Sequence, residues 1–194
     1  MVWAQTRRRA HAGARSALRG GEIAMAQVVL TVLGRDRPGL TRALADMVLE
    51  VDGNWLEGRL ARLGGRFVGA VLVEVADERR AALEMSLSRL ASDELEVRCA
   101  PAGADDHPPG EEMTFTIVGQ DRPGIVRQVT QALSALRVNI EELTTGFQIG
   151  PHSGERLFTT EARLRLPPGV NQTQVEAALE DISSEIMVDL KLGR

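Results

Sequence analysis

Two short stretches carry residue types that can do chemistry. Residues 34–40 read GRDRPGL and residues 119–125 read GQDRPGI. In each, an aspartate and an arginine stand just before a Pro-Gly pair, a place where a helix starts. The free backbone N–H groups and positive end of such a helix suit a carboxylate or a phosphate. Asp36 and Asp121 can accept hydrogen bonds from an ammonium group at the same spot, so the pairing suits a free α-amino acid. Gly39 and Gly124 have no Cβ, which lets a ligand or another chain approach the backbone closely. The same residues also have a purely local use. An aspartate before a helix commonly caps it, and proline suits the first helical position. Both readings stay open on spacing alone. Asn54 and Asn139 are open in the same way, as left-handed helix C-caps or as ligand contacts. Arg37 and Arg122 can reach an anion or stand solvated.

Little else in the chain offers reactive groupings. Cys99 is the only cysteine, and no histidine lies near it in sequence, so it reads as a small apolar strand residue. His11, His107 and His152 stand far apart at no metal-ligand spacing, and His152 reads as a loop residue. No catalytic residue, no metal and no cofactor is assigned.

The elements that must position the two turns form a repeat. Residues 31–42, TVLGRDRPGLTR, and residues 116–127, TIVGQDRPGIVR, match at an offset of 85, and Asn54 and Asn139 keep that offset. Each unit opens with an apolar run, Val28 to Leu33 or Thr114 to Val118, which predicts a buried strand. A helix follows each turn, with one apolar face at Leu40, Ala43, Leu44, Met47, Val48 and Val51, or at Ile125, Val129, Ala132, Leu133 and Leu136. Two strands come next. Leu56 to Leu63 turns at Gly64-Gly65 into Arg66 to Val75, and Glu141 to Ile149 is joined to Leu157 to Leu166 by a longer loop. A second helix follows (Leu83, Leu87, Leu90 and Ala91; Val175, Ala178, Leu179 and Ile182), then a last strand, Leu95 to Cys99 or Ile186 to Leu192. The order β-α-β-β-α-β, twice, predicts an α+β protein of two ferredoxin-like units. Each is an antiparallel four-stranded sheet with its helices on one face. Phe67 to Val73 is apolar on both faces, so something should cover the outer one.

The expected domains are residues 25–100 and 113–194, joined by a Pro/Gly/acid linker over 101–112. Residues 1–24 carry five arginines against Glu22 and show no hydrophobic period, which predicts a disordered basic extension ahead of Met25. The net charge of −4 therefore divides into +4 there and −8 over residues 25–194. An acidic double unit with 3% aromatic residues is a poor nucleic-acid surface, so no direct nucleic-acid binding is expected. No apolar run approaches the roughly 20 residues that span a bilayer, and one cysteine excludes an intrachain disulfide framework. A cytoplasmic protein is expected.

On GRDRPGL, GQDRPGI and the asparagine that opens the second strand of each unit, the sequence resembles a tandem pair of ACT domains over nearly all of residues 25–194. Residues 53–75, GNWLEGRLARLGGRFVGAVLVEV, are similar to members of that family made of two such domains and little else, which control glycine-cleavage genes through a transcriptional activator. The resemblance implies sensing of a small amino acid, glycine or a similar one, at the turn before the first helix. The implied site residues are Asp36, Arg37, Pro38, Gly39, Leu40 and Asn54, with Asp121, Arg122, Pro123, Gly124, Ile125 and Asn139. Relatives that take serine use a histidine where this chain has Gly34 or Gly119, so the resemblance carries no serine-type contact. It implies a homo-oligomer, since such sites often lie where two ACT domains meet. Some pairs bind no ligand and only mediate assembly.

Three functions compete at this point. The first is a non-enzymatic regulator that senses an amino acid and acts through a protein partner. The second is a regulatory subunit of a metabolic enzyme; the two units and linker leave no room for a catalytic domain within 194 residues. The third is an assembly module without a ligand.

Overall fold

The computed structural model describes residues 24–91, 94–104, 109–150, 154–182 and 186–192. The basic segment 1–23 and all three histidines fall outside these residues, as does part of the linker. The chain divides into two compact units after Ala104.

The first unit runs β1 (Met25–Arg35), α1 (Leu40–Glu50), β2 (Asn54–Leu63), β3 (Arg66–Ala76), α2 (Arg80–Leu90) and β4 (Leu95–Pro101), with a short 3-10 turn before α2. The second runs β5 (Glu111–Gln120), α3 (Ile125–Ala135), β6 (Asn139–Ile149), β7 (Arg156–Leu166), α4 (Gln172–Glu180) and β8 (Ile186–Leu192). Each sheet is antiparallel, in the order β2-β3-β1-β4 or β6-β7-β5-β8. This is the ferredoxin-like order that the repeat predicts. The registers also repeat: Gly34 lies opposite Phe67 and Leu95, and Gly119 opposite Phe158 and Ile186.

Strand alternation builds each core. Val28, Leu30 and Val32 of β1 and Val71, Val73 and Val75 of β3 are buried against Leu44, Met47 and Val48 of α1 and Leu83 and Leu87 of α2. In the second unit Met113, Phe115 and Ile117 meet Leu164 and Leu166, under Val129 and Leu133 of α3 and Val175 and Leu179 of α4. Truncating such a side chain to alanine costs about 2 to 5 kcal/mol, so these rows hold the turns in place. Asn171 and Gln174 close α4 with a reciprocal capping box.

The helix ends depart from expectation in two respects. Pro38 and Pro123 are not the first helical residues. Gly39 and Gly124 come between, at φ 91° and 89°, and α1 and α3 begin one residue later. A left-handed residue there is cheap only for glycine, so the helix cannot extend back to the proline. Nor do Asn54 and Asn139 cap the preceding helices. Asp52 and Arg137 take the left-handed position, both at φ 56°. Gly53 N–H donates to Val48 O and Val138 N–H to Leu133 O, the six-residue closure of a Schellman motif. The asparagines have already entered the strands.

The outward faces of the two sheets differ. In the first unit Val29 and Leu33 stand beside Val68, Ala70 and Leu72, with Glu57–Arg59 and Glu96–Arg98 ion pairs along the outer strands. In the second, Thr114 and Thr116 stand beside Arg163 and Glu161. There the Arg165 guanidinium makes a two-point contact with Glu141, at 2.8 and 3.2 Å, and Arg163 Nε lies 3.3 Å from the same carboxylate.

Candidate functional site

Each turn sits at one end of its sheet because β1 and β5 deliver it there. Arg35 ends β1 opposite Arg66, so residues 36–39 emerge beside the β2–β3 hairpin. In the second unit Asp121 N–H donates to Arg156 O, tying the turn to the start of β7. Asp36, Arg37, Pro38 and Gly39 are exposed, whereas Leu40 is buried and anchors the helix start to the core. The second turn repeats this, with Ile125 as the buried anchor and Arg122 half-buried.

No side chain caps α1 or α3. The first N–H of α3, that of Ile125, donates to Arg122 O at 3.4 Å, and the other first-turn N–H groups of the two helices have no intrahelical acceptor. Nothing lies within 4 Å of where a Cβ on Gly39 or Gly124 would stand. Their positive φ accounts for glycine at both positions, and the space above them is open. The local capping role for Asp36 and Asp121 is not what their side chains do.

Both aspartates instead face a guanidinium. Arg62 of β2 approaches Asp36 at 3.1 Å, and Arg156 of β7 approaches Asp121 at 3.4 Å. Arg156 also lies over the Phe147 ring of β6, 4.2 Å from its centroid. Neither arginine stands out in the sequence, where each is one of several at the end of an amphipathic strand. The only available signal is its place next to the hairpin, which hydrogen-bond register brings back beside the turn.

Asn54 and Asn139 do not join the turn of their own unit. Asn54 pairs with Glu74, which lies opposite Gln27, eight residues from Arg35. At a rise of 3.3 Å per residue that is roughly 26 Å away. Asn139 stands opposite Arg165 and hence near Glu112, at the far end of β5 from Asp121. The remaining predicted residues are contiguous in each turn.

Cys99 packs half-buried against the first core, and burial, with Glu84 adding to it, pushes its thiol above the ordinary range. That environment disfavours a nucleophilic thiolate. Among the described residues, no group of three or more His, Cys, Asp or Glu is placed to hold a metal. No helix among them is long and apolar enough to cross a membrane. A depression of 410 Å³ lies on the open sheet face of the second unit, lined by Thr114, Thr116, Glu142, Thr144, Glu161 and Arg163, away from the turn.

A strand, a Gly-x-Asp-Arg-Pro-Gly turn and a helix, set in a β-α-β-β-α-β sandwich and repeated, define the class. Residues 26–99 match the ACT domain family model, and the second unit has the same topology. The chain is similar to proteins built of two ACT domains, with the family match itself confined to the first unit. It resembles the glycine cleavage system transcriptional repressor: the protein of that name from Escherichia coli (strain K12) is 23% identical over 161 residues, 82% of this chain and 85% of that one. A crystal structure of an unknown protein from Galdieria sulphuraria matches with TM-score 0.73 at 27% identity, over 88% of this chain and 100% of that one. A crystal structure of a candidate glycine cleavage system transcriptional repressor matches with TM-score 0.64 at 20% identity, over 88% and 98%.

Proposed function

We propose that this protein is a non-enzymatic regulator that senses a small amino acid, glycine or one close to it, at its two Asp-Arg-Pro-Gly turns. It then acts in the cytoplasm through a protein partner. One observation carries this reading: each turn presents an aspartate next to an uncapped helix start, with open space above a left-handed glycine. Such a turn offers an acceptor for an ammonium and donors for a carboxylate within one small patch. Asp36, Arg37, Pro38, Gly39 and Leu40 form the first site, and Asp121, Arg122, Pro123, Gly124 and Ile125 the second. Similarity to the glycine cleavage repressors supports control of glycine-cleavage genes, with a transcriptional activator as the partner. The working domains are residues 25–100 and 113–194 with 101–112 as linker, in a homo-oligomer.

Calorimetry of the full chain with glycine, serine and the other common amino acids tests the sensor. Uptake of at least one, lost in Asp36→Ala and Asp121→Ala without loss of fold, is expected. No uptake of any amino acid by the folded protein overturns it.

A second reading rests on the outer face of the first sheet, where Leu33 is 50% exposed beside Val68, Ala70 and Leu72. That face fits an assembly module, including a regulatory subunit of a metabolic enzyme. Recovery of a metabolic enzyme rather than a transcription factor in a pull-down favours this second reading.

A further inference from the structure

The guanidiniums that reach the two turn aspartates come from strands that are not equivalent. Arg62 lies on the edge strand β2, and Arg156 lies on the inner strand β7. At the 85-residue offset the counterpart of Arg62 is Phe147. Phe147 is the ring under Arg156. Where the second unit has no arginine on its edge strand, an aromatic residue stands in that place and seats a guanidinium from the neighbouring strand. The outcome is the same at both turns. Stability does not explain the recurrence, because exposed ion pairs contribute little. Arg62 and Arg156 are 72% and 58% exposed.

We infer that Arg62 and Arg156 are the carboxylate-binding residues of the two turns, each working opposite the aspartate of its own turn. This rests on the amino-acid reading above and names the ligand feature that the site selects. An α-amino acid carries its ammonium and its carboxylate on one carbon. It can replace the Asp–Arg contact with two contacts of the same polarity, ammonium to aspartate and carboxylate to guanidinium. Every charge then keeps a partner. A plain amine satisfies the aspartate and strands the arginine, and a plain carboxylate does the reverse. The planar fork of arginine suits a carboxylate at two points, which lysine does not reproduce. The turns also differ in what they report. Arg156 cannot follow a ligand carboxylate without changing its position over Phe147, whereas Arg62 has no such ring at its own position on the edge strand.

The test uses calorimetry on the full chain with the common amino acids, and with methylamine and acetate as single-charge probes. Arg62→Gln, Arg156→Gln and the double variant are compared with the wild type, and circular dichroism confirms their fold. The wild type is expected to prefer the amino acid over methylamine. Each Gln variant should lose affinity for the amino acid at one turn by on the order of tenfold or more, while methylamine binding strengthens because the aspartate no longer has to give up a guanidinium. A lysine at either position should restore only part of the loss. A variant that weakens amino acid and methylamine alike, or neither, overturns the carboxylate-binding role while leaving the sensor reading intact. A wild type that takes up no amino acid overturns both. Proton NMR of the Phe147 ring adds a second readout: its signals should shift on amino-acid uptake in the wild type and in Arg62→Gln, and stay fixed in Arg156→Gln.

Discussion

Arg156 holds Asp121 at 3.4 Å with the same guanidinium that lies 4.2 Å from the Phe147 ring centre. One side chain thus touches the turn before α3 and the edge strand β6. The two contacts differ in kind. The ion pair is exposed and screened by salt, whereas the ring contact is short-ranged. A double-mutant cycle in urea unfolding is expected to give about 0.5 kcal/mol of coupling between Phe147 and Arg156. Added salt should leave that value nearly unchanged and erode the coupling between Asp121 and Arg156. Equal salt dependence for both pairs would show that the ring contact does not form.

Gly39 and Gly124 make a second prediction. Both have open space around them and a φ that L-residues avoid, so the cost of substitution is conformational rather than steric. Gly39→Ala should lose about 1 kcal/mol in denaturant unfolding, Gly39→Asn less, and Gly39→Val more because its branched Cβ fits that region worst. A neutral valine at this position would mean that the turn adopts another backbone conformation.

The carboxylate of Glu141 makes a third. Its side chain is 7% exposed and meets two guanidiniums, while the adjacent Glu142 is 44% exposed. The Glu141 carboxylate pushes Arg165 further above its ordinary range. Removing Glu141 leaves Arg163 and Arg165 on a sheet face without their common counter-charge. Glu141→Ala should therefore lower the thermal midpoint clearly more than Glu142→Ala. Equal effects would assign the cluster to solvent-exposed charge rather than to the sheet.

How far the sequence anticipates this structure depends on the range of the interaction. Alternation and helical spacing are local, and the rows from Val28 to Val32 and from Leu40 to Val48 follow from them directly. The repeat then doubles the signal. Helix ends are also local but depend on which residue accepts a left-handed backbone. Arg137 takes that position in the second unit although asparagine two residues later is the better precedent by residue type. Hydrogen-bonded closure by Val138 selects the position. The Asp–Arg pairs are least legible. They join residues 26 and 35 positions apart, and they depend on where two hairpins return relative to a turn. No periodicity encodes that, and the two units solve it from different strands.

Cys99 gives a prediction in pH. Its thiol is raised above the ordinary range first by burial, so the fold favours the protonated form. That contribution is present below the thiol's unfolded value and is lost as pH rises through the raised one. Stability should therefore decline on the alkaline side in the wild type and less steeply in Cys99→Ala. Iodoacetamide should modify the folded protein more slowly than the urea-unfolded chain. Rapid alkylation of the folded protein near neutrality would contradict the half-buried, protonated state of the thiol.

The two hairpins beside the turns differ in length. Between β2 and β3 the chain closes through Gly64 and Gly65, whereas residues 150–155 separate β6 from β7. Up to that point the units keep an offset of 85, as at Asn54 and Asn139; beyond it Phe67 corresponds to Phe158, at 91. The duplication has thus spent its difference in length at the margin of one turn while leaving both cores in register. The first unit can serve as an internal reference for the second, a built-in control that an engineer could exploit. Exchanging residues 62–65 with 147–156 would move the Phe147–Arg156 arrangement between units as a cassette.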